Sequence, residues 1–257
     1  MKIEILGAHN LESDRARLPC LLVDDVIALD AGGLTSSLPL ARMQAVRSVL
    51  LTHHHFDHTR DLILLAAADT TPPSSVEVYG LQDTLDVVYH YLLDGKMYRD
   101  YTVWPSKESP RLMLKAAVPL EQLVIQGHTI MPVAVGHSVP AVGFLVTGKG
   151  GKSFFYAGDT GAGLGKCWRY ISPEVLFIEV TGLNRMEESM RKLGHLTPGL
   201  LVEELEQFRQ LKGYIPRVIA VHLPLLYEER LKNELEVAGK KLGTELEVAC
   251  EGLIVEV

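Results

Sequence analysis

The opening residues, MKIEILG, alternate polar and apolar side chains, the period-two signature of a strand with one face in water. Runs rich in Ile, Val and Leu at 20–24, 26–31 and 48–52 each close on Gly, Asp or a polar turn. They read as strands, and the three strands over 2–7, 20–24 and 26–31 as an antiparallel meander. Over 59–69 the period changes, because Leu62, Ile63, Leu65 and Ala66 fall at helical spacing; the β-branched run 76–79 is again a strand. A helix is expected over 81–93, whereas 94–118 mixes aromatics, charges and prolines and predicts no element. Strands resume over 123–126, 129–136, 142–147 and 153–157, with GKGGK as the hairpin turn between the last two. The pattern ends in a strand over 175–180, a helix from near Pro198, a strand over 217–221, a helix over 228–241 and a strand over 247–257.

The second half therefore repeats the theme of the first. With no short-period repeat, low-complexity tract or Pro/Gly/Ser linker, residues 1–257 read as one domain of two β-rich halves with helices outside. At 47% apolar residues the chain can fill a sizeable core. Its net charge of −7 gives no general attraction to nucleic acid or anionic membrane. Cys20, Cys167 and Cys250 are odd in number and unpaired in spacing, so neither a disulfide framework nor a cysteine zinc site is indicated. A reducing cytoplasm is the expected compartment. No basic leader or membrane-length apolar stretch is seen, and no membrane partner is expected.

Candidate chemistry gathers just after predicted strands. LTHHHFDHTRD, residues 50–60, places His53, His55, Asp57 and His58 at the end of an apolar run. His137 in AVGHSVP, Asp159 after FFYAG, Glu179 in LFIEV and His222 after VIAV hold the same kind of position, so side chains distant in sequence can meet at one sheet rim. By the period-two rule an extended turn puts His53 and His55 on one side, while Asp57 and His58 at a helix entry project to a second point. One segment can thus feed two metal ions, with a carboxylate such as Asp159 bridging them at roughly 3.5–4 Å separation.

THHHFDH resembles the T-H-x-H-x-D-H motif of the metallo-β-lactamase superfamily, and GHS, AGDTG and AVHLP come after it in the order in which that superfamily supplies its other ligands. The resemblance spans essentially the whole chain. It implies an α/β fold, a four-layer αββα sandwich, with a dinuclear site between the sheets. It assigns His53, His55 and His137 to one metal, Asp57, His58 and His222 to the other, and Asp159 to the bridge. The cofactors implied are two divalent ions, zinc first, with manganese or iron as alternatives. LFIEVTGLNRMEESMRKLGHLTPGLLVEELEQF is similar to the phosphodiesterase branch, which includes class II cyclic-nucleotide phosphodiesterases and tRNase Z. There Glu179 would orient His195, and His195 would protonate the leaving oxygen while a metal-bridged hydroxide attacks phosphorus. Thr197 and Pro198 read as the N-cap and first residue of the next helix.

The expected substrate is a small phosphodiester, with a 3',5'-cyclic nucleotide foremost. A tRNase Z-like ribonuclease would require a basic insertion not found here, and folded nucleic acid is not the expected partner. A thioester or lactam hydrolase would leave Glu179 and His195 without a purpose, and an oxygen-reducing di-iron protein would carry glutamate where His55 stands. Asp30 reads either as a support for a metal-binding histidine or as a turn-stabilising residue. His54 is expected to pack rather than ligate, His9 with Asn10 to line the pocket or satisfy a turn, and His90 and His128 to be structural. Aromatics in 89–104 can stack a base, cover the core or form a homodimer interface.

Overall fold

Alternate residues of single strands face two different cores, and this is what stacks the chain in layers. The computed structural model describes residues 1–68 and 74–257. One sheet contains β1 (Lys2–Gly7), β2 (Cys20–Val23), β3 (Ile27–Leu29), β4 (Ser48–Leu50) and β5 (Val76–Gly80). After the two-residue strands β6 (Pro105–Ser106) and β7 (Ser109–Pro110), which pair only with each other, β8 (Leu112–Ala116) closes one edge of that sheet. The second sheet holds β9 (Leu123–Ile125), β10 (His128–Val135), β11 (Ala141–Thr147), β12 (Ser153–Tyr156), β13 (Val175–Glu179), β14 (Arg217–Val221) and β15 (Leu246–Val248). The last strand, β16 (Ile254–Glu256), returns to pair with β1, giving orders β16-β1-β2-β3-β4-β5-β8 and β15-β14-β13-β12-β11-β10-β9.

Ile27 and Leu29 of β3 and Val175 and Phe177 of β13 meet in the core between the sheets, with Ile3, Ile5, Phe144 and Phe154. Their neighbours Ala28 on one strand and Leu176 and Ile178 on the other point outward into separate cores. Helices Pro198–Lys212 and Glu228–Leu242 cover the second sheet through Leu201, Leu205 and Phe208 and through Leu231, Leu235 and Leu242, spaced for one helical face. Helices Leu62–Ala67 and Gln82–Val88 cover the first through Leu62, Leu65, Leu85 and Val88. The result is the expected αββα sandwich.

In each half an antiparallel meander gives way to parallel pairing, β3 with β4 and β4 with β5, and β12 with β13 and β13 with β14. The carboxyl ends of these strands therefore lie along one rim, which receives Asp30, Thr52, Asp159, Thr181 and His222.

Several expectations need correction. The single strand over 247–257 is two strands in different sheets: the chain turns at Gly252, φ 84°, whose N–H donates to Ile5 O at 2.8 Å. The helix over 59–69 begins earlier, as a turn over Phe56–Thr59 and then Leu62–Ala67; residue 69 lies outside the described residues. The helix over 81–93 is α-helical over Gln82–Val88 and continues as a π-helical turn over Tyr89–Leu93. Within 94–118, β8 escaped notice because Lys115 and Ala116 are exposed on this edge strand, which breaks the apolar pattern. In the aromatic stretch, Tyr101 enters the outer core and Arg99 lies 4.6 Å over the Trp104 ring, whereas Tyr91, Met97 and Tyr98 are exposed. Short helices Leu34–Ser37, Leu40–Met43, Gly165–Trp168 and Glu187–Leu193 had no sequence signal strong enough to be expected.

Candidate metal centre

After β4 the chain bends at Thr52 and reaches His55, which has φ −60° and ψ 147° and is the N-cap residue of the short helix Phe56–Thr59. His53 and His55 thus come from the segment before the helix and Asp57 and His58 from its first turn, as the motif's spacing predicts. His137 arrives from the end of β10, Asp159 from the loop after β12 and His222 from the end of β14. At Gly158, φ 61°, a Cβ would stand 2.7 Å from Cβ of Thr52, so glycine permits the tight turn that delivers Asp159. His222 itself is left-handed at φ 56°, held by Leu223 N–H on Ala8 O at 2.8 Å.

Two groups result. Donor atoms of His53, His55, His137 and Asp159 lie within 4.8 Å of one another, as do those of Asp57, His58 and His222. His58 Nε2 is 3.3 Å from Asp159 Oδ1, and His222 Nε2 is 3.4 Å from Asp159 Oδ2 and 3.3 Å from Asp57 Oδ2. Asp159 therefore stands between the two groups.

Four of the five histidines in these two groups have a fixed partner on the outer ring nitrogen. Thr52 Oγ donates to Asp30 Oδ2 at 2.9 Å; its one proton is then used, so it accepts from His53 Nδ1 at 3.0 Å. His58 Nδ1 donates to Asp30 Oδ2 at 2.8 Å, and His137 Nδ1 to Gly194 O at 2.9 Å. Thr181 Oγ donates to Glu179 Oε2 at 2.8 Å and accepts from His222 Nδ1 at 2.8 Å. All four imidazoles thereby direct an Nε2 lone pair at the shared centre. Asp30 supports His58, the first of its two expected readings.

A third group adjoins these. His195 Nδ1 donates to Glu179 Oε1 at 2.5 Å, its ring stacks on His222 at 5.8 Å, and a ring nitrogen lies within 4.8 Å of donor atoms of Asp159 and His222. Burial disfavours its charged form, but the hydrogen bond and charge of Glu179, with Asp159 and Asp57 behind them, outweigh it and push the pKa up to about 9. Burial holds His53 well below the ordinary imidazole range. Asp159 is held well below the carboxylate range because His222 and His58 more than offset its burial.

All nine residues singled out in the sequence are thus brought to one rim. His54 stays outside the groups, edge-on to His55 at 5.7 Å. His9 ties the first loop to Glu251 at 2.8 Å and Glu228 at 3.3 Å instead of facing the centre, His90 Nδ1 meets Asp86 O at 2.7 Å, and His128 pairs with Asp24 at 3.1 Å. Sequence reasoning missed Thr52, Thr181, Tyr156 and the Gly194 carbonyl as supports. Thr181 lies two residues after Glu179, a same-side spacing that was the available signal.

Residues 21–223 match the Beta-lactamase superfamily domain. The chain belongs to that superfamily. Its architecture is the metallo-β-lactamase fold. Among solved structures, unliganded yeast PDE1 is similar at TM-score 0.82 and 17% identity, over 100% of this chain and 99% of the other. YhfI of Bacillus subtilis gives 0.76 at 16% identity, and the short form of human tRNase Z gives 0.72 at 16%, each over 100% of this chain and 99% of the other. At such identities the likeness is one of fold. No curated protein matches the sequence significantly.

The metallo-β-lactamase fold family uses divalent metal ions, and the residues here fit them. Among the described residues His53 Nε2, His58 Nε2 and Asp159 Oδ1 are buried without a well-aligned hydrogen bond, although the last two lie 3.3 Å apart, a costly arrangement that cations on either side of Asp159 would relieve. The donor set of imidazole and carboxylate suits zinc, manganese or iron alike.

Gly194 makes a separate prediction. It is left-handed at φ 76°, and a Cβ there would lie 3.0 Å from both Cα of His137 and N of Ser138. Gly194→Ala should cost about 1–2 kcal/mol from the backbone conformation alone and displace His137. Metal content per chain, measured after gel filtration, should fall; full retention would show that His137 is held independently of this contact.

Proposed function

We propose that this chain is a metal-dependent phosphodiesterase, one domain over 1–257, acting on a small phosphodiester, with 3',5'-cyclic nucleotides the first substrates to test. The observation that carries the reading is the 2.5 Å bond from His195 Nδ1 to Glu179 Oε1 beside the Asp159 and His222 donors. A lone hydrolytic metal centre needs no such pair, whereas expulsion of an alkoxide from phosphorus needs a proton donor.

His53, His55 and His137 would hold one ion, Asp57, His58 and His222 the other, with Asp159 shared. Bound divalent ions would supply positive charge for the phosphoryl oxygens and the acidity that makes water nucleophilic near neutral pH. The chain's own residues do the rest. Glu179 fixes the His195 ring with its other nitrogen toward the centre, and that nitrogen gives its proton to the leaving oxygen. Thr52, Asp30, Gly194 O and Thr181 hold the ligand rings so that no reorganisation is needed when substrate arrives.

The similarity of fold to yeast PDE1 supports a phosphodiester substrate, and the net charge of −7 favours a small one over a folded RNA. None of the described helices is long and apolar enough to cross a membrane. Incubating zinc- or manganese-loaded protein with cyclic AMP, cyclic GMP, a tRNA precursor and a thioester should give hydrolysis of the cyclic nucleotides. Cleavage of the tRNA precursor alone, or of the thioester alone, would overturn the small-phosphodiester reading.

A further inference from the structure

Glu179 accepts from four donors. Oε1 takes Thr160 N–H at 3.2 Å and His195 Nδ1–H at 2.5 Å; Oε2 takes Leu196 N–H at 3.3 Å and Thr181 Oγ–H at 2.8 Å. A carboxylate offers about four lone-pair sites, so this one is filled. Glu179 is fully buried, and its bonds lead to three segments: the loop after β12, the end of β13 and the residues before the helix Pro198–Lys212.

The Thr181 branch has a direction. A hydroxyl has a single proton, and the charged acceptor is the stronger claimant. With that proton on Glu179, Thr181 has only lone pairs for His222 Nδ1 at 2.8 Å, so His222 carries hydrogen on Nδ1 and a lone pair on Nε2. The latter is the atom 3.3 Å from Asp57 and 3.4 Å from Asp159. His195 and His222 are thereby joined through one carboxylate, one directly and the other through a hydroxyl, and their rings stack at an interplanar angle of 15°.

We propose that Thr181 is a positioning residue that links His222 to the Glu179–His195 pair, so that seating a cation against His222 and orienting His195 are one coupled event. This rests on the metal-centre reading and adds a residue to it. The coupling is reciprocal: whatever loosens His195 from Glu179 must weaken the cation at His222 by the same factor by which the cation orders His195. Valine in place of Thr181 keeps the shape but removes the acceptor, leaving His222 free to turn or to take the other tautomer. Serine keeps the hydroxyl.

The test is zinc titration of chelator-stripped protein, monitored by calorimetry, for the parent, Thr181→Val, Thr181→Ser, Glu179→Gln and the double variant, with nitrogen-15 NMR of the zinc-loaded forms. The parent should bind two zinc ions and show a protected His222 Nδ1 proton. In Thr181→Val the Kd of one of the two ions should rise about 10–100-fold and that proton should be lost, while Thr181→Ser restores both. Glu179→Gln should weaken the same ion, and the double variant should show less than the product of the two effects. An unchanged Kd and proton in Thr181→Val, or strictly multiplicative effects, would overturn the coupling. A parent that binds no zinc would overturn the metal centre itself, and the coupling with it, a failure visible before any variant is made.

Discussion

His195→Ala should lower kcat for a phosphodiester with an alkyl leaving group by about 10²–10⁴-fold, measured at metal concentrations that keep both sites filled. The loss should be much smaller for bis(p-nitrophenyl) phosphate, because p-nitrophenolate departs without help from an acid. This contrast separates proton donation from simple damage to the site. His195 also lies close enough to Asp159 and His222 to join them as a cation-holding group. If it were a ligand, both substrates would suffer equally even at saturating metal. Glu179→Gln should reproduce part of the His195→Ala loss, since the amide cannot accept as strongly from His195 Nδ1.

Asp30→Ala should destabilise the protein by about 3–5 kcal/mol and weaken metal binding about 10–100-fold, although Asp30 lies in none of the three groups of clustered metal donors. The residue is 0% exposed and accepts from Thr52 N–H at 2.8 Å, Thr52 Oγ at 2.9 Å, Tyr156 OH at 2.9 Å and His58 Nδ1 at 2.8 Å. Alanine would strand all of these donors in the interior. It would also have to occupy φ 58°, a region that aspartate and asparagine tolerate better. Asp30→Asn should consequently recover some stability but less metal affinity, because its amide nitrogen cannot accept from His58. Urea midpoints and zinc Kd for the two variants check this; an unchanged midpoint in Asp30→Ala would contradict the role given to this network.

Much of the fold and site was legible in the sequence because the informative residues sit where strands end. Apolar runs such as 217–221 locate the strands closely, and residues just past the end of a parallel strand fall on the rim by topology alone, which is why His53, Asp159 and His222 could be grouped. Grouping Glu179 with His195 needed the family resemblance, since nothing in their spacing of sixteen residues predicts a 2.5 Å contact. Thr52 and Thr181 went unseen because a threonine at a strand end is ordinary in sequence; its role depends on which way one hydroxyl proton points. The Gly194 carbonyl was beyond reach for a similar reason, as it belongs to the backbone. At the C-terminus, hydrophobicity could not tell one long strand from two, because Leu246–Val248 and Ile254–Glu256 share the composition while a single left-handed glycine sends them to different sheets.

The most direct test of the central claim is the rate of bis(p-nitrophenyl) phosphate hydrolysis as chelator-stripped protein is titrated with zinc or manganese, with metal per chain measured at each point. Turnover that is absent in the stripped protein and rises to a plateau as two ions bind per chain is the predicted result. Turnover indifferent to the chelator, or none at all with two ions bound, would contradict it.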